Sequence, residues 1–257
     1  MKTYTKRIVC FADILGFSEL IKSASDPVSG GAIIKTIEEA LNGDLISPIR
    51  NSVGSSKRKS SIKLFSDCIS ISADDSFSGL LLLVAQLASA QNRLIRKSII
   101  IRGAISSGLH YESRSMIFSA GLVSAYKMET SQAIYPRIIV EEELIERHFR
   151  TGDENTIEAK KKLASVWLAR DSDRQYFIAY NPGIIFQGDA AVKAKNRYAE
   201  QRDALKKLIH SQAKSPAALN KLAWAQRYHD YSCQKHFPAE PALRIVPPNV
   251  AEFQSGI

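Results

Sequence analysis

Cysteine is scarce in this chain, with Cys10, Cys68 and Cys233 as its only three in 257 residues and no CxxC spacing among them. That excludes a disulfide framework and a zinc ribbon. The three read instead as small buried hydrophobes of a protein in a reducing, cytoplasmic setting. Long apolar runs are also missing. The run from Ile8 to Phe17 is interrupted by Asp13 and has no cleavage site, so it does not read as a signal peptide. The Leu-rich stretch Leu80 to Leu87 is broken by Gln86 and is too short to cross a bilayer. No internal repeat or low-complexity segment is visible, which excludes solenoid architectures. Acids are outnumbered, 26 against 35 Lys and Arg, for a net charge of +9. This favours anionic partners, whether nucleoside triphosphates, nucleic acid or a membrane surface, and does not choose among them.

At 45% hydrophobic residues the chain can bury one substantial core, or a core with a helical appendage. Residues 6–13 form an apolar strand, and Gly16 marks the turn into a short helix from Ser18 to Ser23. Asp26-Pro27 is a helix start, with Asp26 as N-cap and Pro27 at the first position. Ile33, Ile34, Ile37, Leu41 and Leu45 then recur at helical spacing. Residues 50–60 are a polar, basic, Ser-rich loop. Residues 61–66 and 68–73 alternate as a hairpin around Ser66-Asp67. A buried helix over Phe77 to Arg96 leads into the strand Ile99 to Ile105, which continues to His110. Residues 119–132 predict a helix and Arg137 to Val140 another strand.

That order predicts an α+β fold: a ferredoxin-like split βαβ core, an antiparallel sheet with helices packed on one face. Residues 1–150 are assigned to the core. Residues 151–257 are assigned to a C-terminal extension packed on it, with a strand at 175–181, helices near 189–213 and 216–236, and a tail holding Pro238, Pro241, Pro247 and Pro248. Prolines that dense favour an extended chain lying over the core.

The chemistry centres on Ile8-Val9-Cys10-Phe11-Ala12-Asp13-Ile14-Leu15-Gly16-Phe17 and Lys63-Leu64-Phe65-Ser66-Asp67. Each delivers one carboxylate where the chain turns after an apolar strand. Two such carboxylates can hold divalent cations on a polyphosphate, and magnesium needs few protein carboxylates when phosphates complete its shell. Backbone N–H groups of the turn Ile14-Leu15-Gly16-Phe17 can receive phosphate oxygens, and Gly16 permits close approach. Taken alone, each Asp is more often a cap or turn residue.

Phe11-x-Asp13-Ile14-x-Gly16-Phe17, Lys63-x-x-Ser66-Asp67, Ile101-Arg102-Gly103-Ala104-Ile105 and the helix Ala125-Tyr126-Lys127-Met128-Glu129 resemble the class III nucleotidyl cyclase catalytic domain over roughly residues 6–140. Within that class, Ala125-Tyr126 with Glu129, Tyr135-Pro136-Arg137-Ile138 and Lys221-x-x-Trp224-x-x-x-Tyr228-His229 look most like the bacterial Pycsar pyrimidine cyclases of anti-phage defence. The resemblance implies two divalent cations (Mn2+ or Mg2+) held by Asp13, Asp67 and the carbonyl of Ile14. It puts Lys63 against the base and Met116 at the position of a polar base-reading residue. Val123 stands where the family has its transition-state Asn, and Lys127 where it has its Arg. Ser66 replaces the Gly of the metal hairpin.

The implied reaction cyclises UTP, or CTP, to the 3′,5′-cyclic monophosphate and pyrophosphate. Head-to-tail homodimers with composite sites and a separate cyclic-nucleotide effector protein belong to the same expectation. No nucleic-acid or membrane partner does. The rival readings are a purine cyclase, a non-catalytic cyclase-like nucleotide-binding module, and a basic nucleic-acid binder using the helix near 189–213. Blander roles are expected elsewhere: Arg102 as structural partner of a buried carboxylate or of carbonyls rather than a catalytic group, Lys57-Arg58-Lys59 as a solvated loop, His110 and Tyr111 at a hairpin end without a ligand cluster, and Trp224 with Tyr228 as packing.

Overall fold

Strand β1 (Thr5–Leu15) is an interior strand of the sheet, paired on both sides, and its alternation sets the two faces of the core. Ile8, Cys10, Ala12 and Ile14 are buried in the main core, while Val9, Phe11 and Asp13 point to the other face. The computed structural model describes residues 4–42, 61–181, 189–212, 215–246 and 254–255. The loop at 50–60 with Lys57-Arg58-Lys59, and Pro247-Pro248, lie outside the described residues.

After β1 come α1 (Phe17–Ser23), α2 (Pro27–Asn42), the hairpin β2 (Ser61–Phe65) and β3 (Cys68–Asp74), α3 (Phe77–Ile95), and the long strand β4 (Ile100–Glu112). Strands β3 and β4 flank β1 antiparallel on either side, with β2 outside β3. This is the split βαβ arrangement expected of a ferredoxin-like core. Asp26 caps α2 as predicted, its carboxylate accepting the N–H groups of Val28 and Ser29 at 2.8 and 3.1 Å. Helix α3 is apolar on most of its surface and sits in the core with α2.

Two features depart from the expected layout. The sheet is mixed, because β6 (Ile138–Val140) runs parallel to β4. Strand β5 (Ile117–Ser119) and helix α4 (Ala120–Gln132) carry the chain back along β4, so β6 starts from the same end. Helices also cover both faces rather than one. Helix α4 packs on the Val9–Phe11 side, where Phe11 and Tyr126 meet edge to face at 5.3 Å. A Cβ at Gly108 would stand 2.5 Å from the Gly121 backbone, so glycine there lets α4 lie directly on β4.

The chain beyond β6 holds elements the periodicity did not reveal: α5 (Glu142–Phe149), α6 (Glu154–Trp167) and β7 (Leu168–Arg170). Each is short, or its apolar positions are spaced among many charges. Strand β8 (Tyr176–Ile178), expected over 175–181, pairs with both β6 and β7, and β9 (Gln254–Ser255) pairs with β7. The same sheet therefore runs on into the C-terminal part. Helices α7 (Asp189–Ser211) and α8 (Pro216–His236) add a second core with Ile100, Ala104, Ile139 and Phe177. Trp224 and Tyr228 stack there at 5.5 Å, fully buried, in the packing role expected of them. Arg137 ties the two parts together. Its buried guanidinium pairs with Asp171 and Asp173, and Trp224 Nε1 donates to Asp171 at 2.7 Å.

The tail is expected to lie over the core; its described part packs instead against α7 and α8 of the extension, with a 3-10 turn at Pro241–Leu243 rather than fully extended. Leu243 is buried, and Asp230 accepts the Ile245 N–H at 2.7 Å.

Candidate functional site

Asp13 lies near the end of β1, and Asp67 in the two-residue turn of the β2–β3 hairpin, where Ser66 adopts φ +55°. That left-handed turn is a glycine position that serine occupies with some strain. The Ile14 N–H donates to the Asp67 carbonyl at 3.0 Å, latching the hairpin tip onto β1. Ligand atoms of Asp13, Asp67 and Cys68 consequently lie within 4.8 Å of one another.

The β-register explains the grouping. Asp13 is directly opposite Cys68 on β3 and directly opposite Arg102 on β4, so all three project from one face. The Cys68 thiol donates to Asp67 Oδ1 at 3.6 Å. Above them, α4 contributes Glu129, only 4% exposed, which forms an ion pair with Arg102. Arg102 thus has the buried carboxylate partner expected for it.

Burial, then repulsion from Asp67 and Glu129, pushes the Asp13 carboxyl up to about 6, against the pull of Arg102. Burial and the neighbouring Asp67 push the Cys68 thiol up to about 11. This donor set suits a divalent cation. The carboxylates repel one another in the protein alone, and a cation would supply the missing positive charge.

Gly16 follows with φ +75°, a conformation that admits few residues but glycine, and its carbonyl accepts the N–H groups of Glu19 and Leu20 at 3.0 Å to open α1. The strand therefore runs on through Ile14 and Leu15, paired with Ile101 and Ile100, and the chain turns out of the sheet at Gly16, three residues beyond Asp13.

The other predicted site residues sit apart. Lys63 on β2 forms an ion pair with Glu112 at 3.8 Å, and the Ser61 hydroxyl bonds the same carboxylate. Met116 is exposed in the β4–β5 turn, and Val123 and Lys127 are exposed on α4. Among the described residues, no hydrogen bond or ion pair joins Lys63, Met116 or Lys127 to either aspartate. His110 is buried and faces Glu112 at 3.4 Å, and among the described residues it belongs to no group of metal-ligating side chains.

Three participants were not anticipated. Cys68 was read as a small buried hydrophobe, but it is only partly buried and stands beside Asp67. Its position next to a turn aspartate was the available signal. Glu129 was marked in its helix without a placement against Asp13. Nothing local in the sequence pointed to Glu112 as the partner of Lys63.

By sequence, the chain matches no family profile and no curated protein. Solved structures with a similar chain path include the guanylyl cyclase Cya2, at 13% identity over 59% of this chain and 81% of that one, TM-score 0.38. Another is an adenylate/guanylate cyclase/hydrolase from Silicibacter pomeroyi, at 15% identity over 68% and 94%, TM-score 0.38. A bacterial light-regulated adenylyl cyclase gives 12% identity over 78% of this chain, TM-score 0.38, and the chain spans only 59% of that protein. Similarity this distant carries no residue roles across.

Proposed function

We propose that this protein is a metal-dependent nucleotidyl cyclase of the class III type that converts UTP to 3′,5′-cyclic UMP and pyrophosphate. The observation that carries the reading is the convergence of Asp13 and Asp67 at one end of a split βαβ sheet, their carboxylate oxygens within 4.8 Å of each other. Two divalent cations bound there would polarise the ribose 3′-hydroxyl and neutralise the triphosphate. Asp13 and Asp67 hold that charge in place, with the Ile14 carbonyl as a further ligand. The turn Leu15-Gly16-Phe17 receives the phosphates. The 3′-oxygen loses its proton and attacks the α-phosphorus in line; the bond to the bridging oxygen breaks, and pyrophosphate leaves.

Lys63 and Lys127 act in this reading from a second copy of the chain, Lys63 on the base beside Met116 and Lys127 on developing phosphate charge. Exposed apolar side chains occur on both hairpins and on α4, among them Leu64, Phe65, Met116, Phe118, Val123 and Tyr126, and offer apolar surface for burial against that copy. Mixing an Asp13→Ala chain with a Lys127→Ala chain is expected to restore activity that neither homodimer has. No recovery under confirmed subunit exchange sinks the composite site.

The pyrimidine preference, with CTP as second choice, and a role in anti-phage signalling through a separate effector rest on the resemblance carried by Ala125-Tyr126 with Glu129, Tyr135-Pro136-Arg137-Ile138 and Lys221-x-x-Trp224-x-x-x-Tyr228-His229. Competition among all four nucleoside triphosphates, read by mass spectrometry, tests the base. A cyclic purine product would keep the reaction and overturn the pyrimidine assignment.

A further inference from the structure

We infer that Cys68 is a third protein ligand of the Asp13–Asp67 centre and shifts its preference from Mg2+ toward thiophilic divalent cations such as Zn2+ and Co2+. This rests on the metal-site reading above and adds the sulfur to it.

The register puts Cys68 directly across from Asp13, and the hairpin turn puts it next to Asp67. A sulfur at about 2.3 Å and an oxygen at about 2.1 Å from one zinc stand about 3.6 Å apart at the tetrahedral angle. Cys68 Sγ and Asp67 Oδ1 are 3.6 Å apart in the protein as folded. Asp13 completes a group of three whose ligand atoms all lie within 4.8 Å of one another.

Oxygen-only sites suit magnesium, whereas a thiolate in the set favours softer ions. On binding, the S–H bond breaks, the metal–sulfur bond forms, and the proton passes to water. Cys10, fully buried on the opposite face of β1, and Cys233, buried against α8 and the tail, cannot substitute for Cys68 in this group. The consequence is a centre at which Zn2+ displaces the catalytic cation and holds the enzyme off.

Titration of Co2+ into the metal-free full chain separates the possibilities, because visible d–d bands report occupancy and a near-ultraviolet charge-transfer band reports sulfur. Both bands are expected in the wild type. In Cys68→Ser the charge-transfer band disappears while the d–d bands remain. Zn2+ affinity of that variant, measured by competition with a chromophoric chelator, falls about tenfold or more, while Mg2+ affinity changes less than about twofold. Wild-type d–d bands without charge transfer overturn the role of Cys68 and leave the carboxylate site standing. A charge-transfer band that survives in Cys68→Ser overturns it as well. No Co2+ binding by the wild type, indistinguishable from Asp67→Asn, sinks the metal-site reading itself.

Discussion

Arg102 stands directly opposite Asp13 in the β1–β4 register, yet its guanidinium pairs with Glu129 of α4. Asp13 is therefore left as a carboxylate with a cation nearby but already engaged, which suits the metal-binding role proposed for it. Substituting Glu129→Gln frees Arg102 to turn to Asp13 and removes one repelling charge. Both effects lower the Asp13 pKa and weaken divalent-cation binding. Breaking the pair also costs roughly 3 kcal/mol of stability, the lower end for a buried ion pair because Arg102 keeps some solvent contact. Calorimetric titration with Mn2+ and urea unfolding check the two parts.

Asp13 itself gives a signed pH dependence. Its folded pKa, about 6, is raised above the unfolded value, so its contribution to stability is fully present below the unfolded pKa and is lost as pH rises through about 6. The metal-free protein should lose about 1 kcal/mol across that window, after discounting for solvent screening of a partly exposed group. Asp13→Asn should abolish the loss. Divalent-cation affinity should run the opposite way, rising with pH as the proton leaves Asp13. Urea midpoints of both proteins between pH 4 and 7.5, in chelator, measure the first effect.

The cluster at the other end of the sheet has the reverse sign. His148 Nε2 bonds Asp75 Oδ1 at 2.8 Å, and Arg147 Nη2 lies 3.2 Å from the same oxygen. Burial opposes the Asp75 charge, but the hydrogen bond from His148 and the charge of Arg147 outweigh it and hold the carboxyl below its ordinary range. Burial also holds His148 low, outweighing Asp75. Both groups contribute stability that is present above their unfolded pKa values and is lost as pH falls through the folded ones. The melting temperature should therefore fall from pH 7 toward pH 4, and the fall should be shallower in His148→Gln.

Arg137 is the tie between the core sheet and α8. Arg137→Ala leaves Asp171 and Asp173 without their cation and removes packing between the Tyr135, Phe177 and Trp224 rings, a loss of about 3–5 kcal/mol. Arg137→Lys should recover little, because one ammonium cannot bridge two carboxylates as a guanidinium fork does. Guanidinium unfolding followed by tryptophan fluorescence reads this, since Trp224 shares the cluster.

Much of the site was legible because it depends on local grammar. Asp67 sits at the turn expected of it and Asp13 two residues before the end of β1, and the alternation around them announced the strands. Arg102 in an otherwise apolar strand announced a buried partner. Cys68 was not legible, since its role follows from standing across β1–β3 from Asp13, and cross-strand register is a long-range property. The second helical layer was hidden for a related reason. Val9 and Phe11 are as apolar as Ile8 and Cys10, so the strand pattern signals two buried faces without saying which helices cover them. Helix α5 was missed because Leu144, Ile145, His148 and Phe149 sit among charges in a helix too short for its period to stand out, and α6 because Ile157, Leu163 and Val166 are scattered among Glu154, Glu158 and Lys160 to Lys162.

The most direct test of the whole account is the stoichiometry of cyclic nucleotide and pyrophosphate formed from UTP with Mn2+, compared between the wild type and Asp67→Asn. The account predicts one pyrophosphate per cyclic UMP in the wild type and loss of both products in a variant that still folds. Equal turnover by the two proteins, or pyrophosphate released with a linear nucleotide, would contradict it.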